Sequence, residues 1–454
     1  MVNYDVIVVG AGTGGSVTAA TLANKGLKVA LLDRQPKEMI GVKVCGDATS
    51  GEHFKRIQKL TKIEPPRGDE IRQKIKGAWL FSPDREVKFE LVEEGGTGVI
   101  IDRFKLGMRI LNDALDFGAE LHDSTYVKDP IVHQDQVTGI KCRGKDKNIH
   151  EISAKVVVDA SGIGAVLRRK LDPNKTYMDI ELAPKDVCNC YREVRDVENE
   201  IEHPEFIRIS FDQELCPGGY LWEFPRGPTS MNAGLGVMRI NQLNAHAQFN
   251  QYLKREEKFY QNSKLIHAGA WRVPLRRPQD NLVWNGFVLV GDSGTQVKPT
   301  DGGGIGISVN AAATAGKVIT RAIEEDDVSM NGLWDYSVEF MNTIALVNAP
   351  LAIMKDFIIP LPSSLINTVF HKRIVEAGDL LYGNATGEIS GGFFKTLQRA
   401  YRGKRMLGTL LKFRSVMKKM DKARNLFLNY PKIPEGFLEW REKISKLYGD
   451  VNYN

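Results

Sequence analysis

Three clusters of residues in this chain have types and spacings that suit chemistry. The first is Gly10-x-Gly12-x-x-Gly15, with Gly14 inside it and an acid, Asp33, 23 positions after Gly10. Glycines so spaced permit a tight turn and let the backbone approach a pyrophosphate, while the N-terminus of a following helix offers free N–H groups and positive dipole to the anion. Asp33 would accept hydrogen bonds from adenosine ribose hydroxyls, which suits NAD as well as FAD; Arg34 beside it would suit a 2'-phosphate. The second cluster is K-V-C-G-D-A, residues 43–48, with Cys45 at its centre. The third is C-P-G-G-Y-L-W-E-F-P, residues 216–225, in which Tyr220, Trp222 and Phe224 alternate between a turn and Pro225. Period-two spacing puts three rings on one face of a strand, either as core or as an apolar wall beside a reactive cofactor.

These residues need elements to hold them. D-V-I-V-V before Gly10 reads as an apolar strand, the alanine-rich segment after Gly15 as a helix, and L-K-V-A-L-L-D as a second strand closing on Asp33. In that setting the glycine pattern is specific for a dinucleotide. V-V-V-D-A-S-G, from residue 156, is another buried strand ending in a small-residue turn, and residues 287–319 read as strand, loop and long small-residue helix. Residues 73–94 and 187–240 alternate in strand fashion and are expected to pair into an antiparallel sheet, with P-P-R-G-D-E, 65–70, as a crossing point.

The chain has 454 residues, enough for two or three domains and an ample core without disulfides or metals. Its net charge of +6 is too mild over this length to argue for nucleic-acid binding. Five cysteines without a paired C-x-x-C argue against a disulfide framework, a zinc ribbon or an iron–sulfur cluster and suit a reducing, cytoplasmic setting. The N-terminal run breaks at Gly10 and is expected to be a first strand, not a signal peptide. The most apolar segments, 340–354 and 357–370, are separated by Lys355 and Asp356 and interrupted by prolines, so neither is expected to span a bilayer. Residues 395–424 carry eleven Lys or Arg against one acid, Asp421, which reads as a solvated basic face or as a dock for an anionic membrane surface.

Taken in order, the glycine run, the D-x-S-G strand at Asp159, and Gly291-Asp292 followed by P-T-D-G-G-G, 299–304, resemble the FAD-dependent para-hydroxybenzoate hydroxylase superfamily. The resemblance implies an α/β fold: a Rossmann-type FAD-binding domain (1–65, 96–172 and 270–325), an antiparallel-sheet cap (66–95 and 173–269) and a helical C-terminal region (326–454). It implies that Asp292 holds the ribityl chain and that the helix opening near Gly304 and Ile305 aims its N-terminus at the flavin. It further implies that Arg103 lies beside the cofactor, that Val127 meets the adenine, and that Cys45, Gly46 and Ala48 run over the flavin. K-x-C-G and P-x-x-Y-x-W-x-F-P resemble the geranylgeranyl reductase branch. That branch implies reduction of isoprenoid C=C bonds in geranylgeranyl ether lipids of archaeal membranes, by hydride from reduced flavin plus a proton from Cys45 or Tyr220. Tyr220, Trp222, Phe224 and Pro225 would then form the substrate wall, and Lys372 and Arg373, after His371, would face the phosphate head group. No second glycine fingerprint exists for a nicotinamide domain, so the electron donor stays open among ferredoxin, reduced deazaflavin and NAD(P)H. A lipid substrate suits a peripheral position on the inner face of the cell membrane. The alternatives are an aromatic hydroxylase or halogenase, whose W-x-W-x-I-P motif is approached at 220–225, a geranylgeranyl diphosphate or chlorophyll-type reductase, and a lipid carrier.

Overall fold

The computed structural model describes residues 3–92, 95–388 and 407–449. Among these, eight strands form one sheet whose parallel centre runs Phe287–Leu289, Ile149–Asp159, Asn3–Val9, Val29–Leu32, Glu120–His122. The register pairs Val8 with Val158 on one side and with Leu31 on the other. Val6, Ile7 and Val8 have no exposed surface, as strands covered on both faces require, and hence read as unbroken apolar runs. Three strands therefore end together. Gly10 donates its N–H to the Leu32 carbonyl, Ala160 to Val9, and Val290 to Asp159. The three loops that follow, one from each distant sequence motif, share one crevice at the carboxyl edge of the sheet, where such folds bind ligands.

Two helices, Thr13–Ala23 and Ile305–Glu324, pack side by side on this sheet. The contact is close because Gly316 faces Thr21: a Cβ on Gly316 would lie 2.6 Å from Thr21 Cγ2.

A second sheet of seven strands forms the cap, in the order Lys264–Pro274, Val187–Asp196, Ser230–Met238, Leu221–Pro225, Phe206–Ser210, Gly77–Phe81, Lys88–Val92. It is not wholly antiparallel as expected, since Phe206–Ser210 runs parallel to Gly77–Phe81. Those two strands are separated by the middle segment of the nucleotide domain, so no tight hairpin dictates their relative direction. The expected boundary at 269/270 falls inside Lys264–Pro274, an edge strand of the cap along its whole length. Ile71–Lys74, assigned to the cap, instead joins Ala48–Ser50 and Gly98–Ile101 in a three-stranded sheet where the two domains meet.

The C-terminal region is helical. Met330–Phe340, a π turn at Met341–Ala345, and Leu346–Ile358 form one continuous run of 29 residues, long and apolar enough to cross a membrane by length and composition. This corrects the expected interruption at Pro350, which sits inside the helix; 56% of the most apolar window is buried within the protein. Lys355 does not break the segment either. Its ammonium donates to the Leu275 carbonyl at 2.6 Å and to Asp186 Oδ1 at 3.2 Å, tying the helix to the cap. Pro360 and Pro362 do end it, and Ser363–His371 follows separately. Leu407–Leu428 lies along Leu346–Ile358, and Phe437–Tyr448 closes the bundle through Trp440 against Phe427. Of the basic stretch, residues 395–406 lie outside the described residues.

Substituting Gly316→Leu forces the two sheet-covering helices apart. Overpacking of this kind costs about 1–3 kcal/mol, so the thermal unfolding midpoint should fall measurably by calorimetry.

Candidate active site

The crevice is the entrance to one cavity of about 2080 Å3 that continues beneath the cap and into the C-terminal helices. Its first limb is built by the glycine loop. Gly10 has φ +101°, open only to glycine without strain, and a Cβ there would strike the Ala160 carbonyl. Gly10, Gly12 and Gly14 line the cavity. Gly15 does not: a Cβ on it would collide with the Gly10 carbonyl, so its role is to let helix and turn close up. Asp33 accepts from Ala11 N and Gln35 N, both at 2.8 Å, which fixes its carboxylate at the cavity edge. Thr125 and Val127 line the same limb, and the Arg34 guanidinium sits 6.0 Å over the Trp271 ring.

Two cations face the loop. Arg103 donates through Nη2 to Thr13 Oγ1 at 3.1 Å, while its Nε and Nη1 are buried without a partner. The Lys43 ammonium lies 3.8 Å from where a Gly12 Cβ would be. Burial pulls the Lys43 pKa down, Asp33 and Asp292 pull it up, and Arg103 and Arg34 push it down again. Asp292, whose open surface faces the cavity, is pushed up to about 6 by burial, with Arg103 and Lys43 opposing. Ile305–Glu324 opens with Gly304 as N-cap and no side-chain cap, and Gly304 and Ile305 line the same space. Orphaned guanidinium nitrogens, a glycine cradle and a buried carboxylate for hydroxyl donors fit an FAD: pyrophosphate at Gly10–Gly14 with Lys43 and Arg103, ribose at Asp33, ribityl chain at Asp292.

The second limb is apolar. Trp222 and Phe224, 6% and 8% exposed, pack with Ile100 and with the partly buried Tyr220, and all three rings line the cavity. Core and wall are thus the same residues, because the core they belong to encloses the ligand space. Leu221 and Glu223 face the other way, Glu223 accepting from Tyr252 at 2.7 Å. Pro225 is buried at the strand end and does not line the cavity. Beyond the rings the wall is Leu351, Met354, Phe357, Ile366 and Phe370, with Phe413 from the helix Leu407–Leu428. Lys372 and Arg373 are exposed and outside this wall. Phe370 and Ile374 are buried on either side of the turn that ends the helix, and the two cations of that turn, with Arg373 at φ +45°, stay in solvent. His371 pairs with Asp84 at 2.8 Å instead.

The loop 43–48 lies where the limbs meet. Gly46 sits under Phe224, a Cβ there lying 2.6 Å from Cε2. Cys45 donates its thiol to Asp47 Oδ1 at 3.0 Å, and Asp47 N–H meets the same sulfur at 3.3 Å. Burial, with the Asp47 charge next, pushes the Cys45 thiol up to about 12. The Tyr220 hydroxyl donates to the Asp301 carbonyl, and burial drives its pKa well up. Sequence reasoning missed Lys43, Asp47 and Asn232. The first two lay inside a quoted motif and went unassigned; Asn232 carried no signal.

Residues 5–170 match the family model described as FAD dependent oxidoreductase, and residues 186–273 the one described as Geranylgeranyl reductase catalytic domain. The chain is 34% identical over 451 residues to the digeranylgeranylglycerophospholipid reductase of Sulfolobus acidocaldarius, covering 99% of this chain and 98% of that one. It is 31% identical over 364 residues to digeranylgeranylglycerophospholipid reductase 2 of Methanococcoides burtonii, covering 78% and 84% of the two. A geranylgeranyl bacteriochlorophyll reductase-like protein from Thermoplasma acidophilum shares the fold with TM-score 0.75 and 23% identity over 93% of this chain and 99% of its own. A flavin-dependent brominase shares it with TM-score 0.62 and 16% identity over 81% of this chain and 90% of its own.

Asp292→Asn should weaken FAD binding about 10- to 100-fold, the scale of charge-assisted hydrogen bonds of about 1.5–3 kcal/mol, as read by fluorescence titration. Between 3.8 and about 6 the folded apoprotein keeps a proton that the unfolded chain has lost, so the wild type loses stability as pH rises through that window. The Asp292→Asn apoprotein should therefore melt above wild type at neutral pH, and the gap should close as pH falls toward the ordinary value of 3.8.

Proposed function

The chain belongs to the digeranylgeranylglycerophospholipid reductase family, and from that premise we propose how this cavity saturates isoprenoid C=C bonds of geranylgeranyl ether lipids. The protein is an FAD-dependent oxidoreductase. The observation that carries the reading is the continuity of the cavity, from a dinucleotide cradle at Gly10 to an apolar tunnel ending at Phe413. An isoprenoid chain offers only alkenes and methyl groups, and a long apolar tunnel is what it can occupy.

When bound, FAD supplies the hydride that adds to one alkene carbon. The chain's own residues do the rest. An unactivated trisubstituted alkene must take up a proton as hydride arrives, with positive charge developing on the tertiary carbon; the faces of Tyr220, Trp222 and Phe224 stabilise such charge. Cys45 is the better proton source of the two candidates. Once it gives up its proton, the sulfur keeps the Asp47 N–H at 3.3 Å, which offsets in part the repulsion of the Asp47 carboxylate at 3.0 Å, whereas the Tyr220 oxygen faces the Asp301 carbonyl. An external donor, whether ferredoxin, reduced deazaflavin or NAD(P)H, recharges the cofactor.

The lipid enters from a membrane. On Leu407–Leu428, Phe413, Met417 and Met420 face inward while Lys412, Arg414, Lys418, Lys419 and Lys422 face out, and Phe413 and Met420 line the tunnel. One helix thus backs the substrate space and presents cations to the exterior, each worth about 1 kcal/mol at an anionic surface. This supports a peripheral position on the inner face of the cell membrane.

Reduced anaerobically with dithionite and given geranylgeranyl lipids, the protein should add the mass of one H2 per double bond. Oxygen-dependent hydroxylation or halogenation of an aromatic substrate would refute the reading. Ile366→Trp, which narrows the tunnel, should leave the flavin spectrum unchanged and reduce the number of bonds saturated. Co-sedimentation should favour anionic over neutral vesicles and weaken with salt; equal binding to both would remove the electrostatic dock.

A further inference from the structure

Asn232 lies in the strand Ser230–Met238, fully buried and outside every recognised motif. Its side chain joins three separate segments. Nδ2 donates to Asp47 Oδ2 at 2.9 Å and to the Cys45 carbonyl at 2.9 Å, and Oδ1 accepts from Trp222 Nε1 at 3.1 Å. Both amide hydrogens and the oxygen are used, and the orientation is unambiguous: rotated by half a turn, the amide would set oxygen against two acceptors and its NH2 against an indole N–H. Asp47 itself has φ +64° and is 2% exposed, a conformation held by its partners. Its other carboxylate oxygen accepts the Cys45 thiol.

This clamp stands in a site built to attract an anion. Arg103 faces Cys45 and favours its thiolate, and Lys43 is two residues away in the same loop. Arg226 and His267 lie around Asp47, and Arg192, bonded to His267, donates to the Lys43 carbonyl. Cationic surroundings turn cysteines into thiolates, and a thiolate has no proton to give. Asp47 is the countering charge, effective only while its carboxylate is held at the sulfur.

We propose that Asn232 is a positioning residue for the proton-transfer half of the reaction: it holds the Asp47 carboxylate against Cys45 so that this cysteine rests as the thiol that protonates the alkene. The burial that pushes the Cys45 pKa up acts in the same direction. In the step itself the S–H bond breaks as the C–H bond forms, the sulfur keeps the electron pair beside the Asp47 N–H, and a solvent proton restores the thiol afterwards. The same amide orients Trp222, so one residue sets both the acid and a ring of the cavity wall.

The role rests on the reductase reading, but its test does not need turnover. The ultraviolet thiolate absorbance of FAD-loaded protein is titrated with pH, and the Cys45→Ser variant of each background is subtracted to isolate Cys45. Asn232→Leu should move the Cys45 midpoint down by at least about one pH unit, roughly tenfold more thiolate at a fixed pH below it, with the flavin spectrum retained. A folded Asn232→Leu protein with the wild-type midpoint would overturn the proposal. Should Asn232→Leu fail to fold, Asn232→Ala, which removes the amide and adds no bulk, decides: the same downward shift supports the clamp and an unchanged midpoint overturns it. A protein that reduces no prenyl alkene while showing these shifts would sink the reductase reading and leave the clamp standing.

Discussion

Two cations without a salt-bridge partner among the described residues, and with only Asp33 and Asp292 as anions nearby, govern this structure. Lys43 and Arg103 are brought to the Gly10–Gly14 turn, where burial penalises Lys43 and two guanidinium nitrogens of Arg103 go unpaired. A buried unpartnered charge costs several kcal/mol and persists only if something else meets it. The pyrophosphate of a bound FAD would do so, which would make binding of the cofactor part of the stability of the site. The parallel sheet serves this constraint by ending three strands at one place, so that loops from residues 10, 160 and 290 reach the same crevice.

The same charges create a conflict with the chemistry next door. A site made positive to hold a dinucleotide lowers the pKa of any thiol beside it, whereas saturation of an alkene asks for a protonated one. Placing one carboxylate, Asp47, between the cationic limb and the apolar limb separates the two demands over a single loop. That loop is anchored on both sides. Ala48–Ser50 pairs with Gly98–Ile101 below it, and Asn232 and Trp222 hold it from the cap above. The cap sheet and the flavin domain therefore meet at the Cys45 loop, so a shift of one domain is felt there.

What was legible in the sequence follows from what periodicity and spacing encode. Unbroken apolar runs gave the parallel core, because burial on both faces leaves no polar positions, and the alternation at Tyr220, Trp222 and Phe224 gave a strand with one aromatic face. Direction between distant strands leaves no local mark, so the parallel pairing of Phe206–Ser210 with Gly77–Phe81 was not visible. Nor was the outward turn of Lys372 and Arg373, which depends on Phe370 and Ile374 claiming the inside. Pro350 looked like a break because proline removes one helical hydrogen bond, yet close packing on Leu407–Leu428 outweighs that loss. Asn232 is the deepest omission. A lone amide in an apolar strand has no pattern, and only its three partners from other segments give it meaning.

The apolar tunnel also needs its reference state named. Moving an isoprenoid from water into protein gains about 0.8 kcal/mol per CH2, but a membrane-docked enzyme takes its substrate from a bilayer, which is as greasy as Leu351 or Phe357. Most of the transfer term then cancels, as it does for helices associating within lipid. The tunnel therefore holds its ligand mainly by shape and close packing. The rings at 220, 222 and 224 gain their importance elsewhere: an aromatic face is nearly indifferent to a neutral alkene and attractive to the positive charge that forms on it. Binding energy realised only as charge develops raises the rate without trapping the substrate. On this view an enzyme that must saturate one double bond after another along a chain is best served by a wall that grips loosely between reductions and strongly during each.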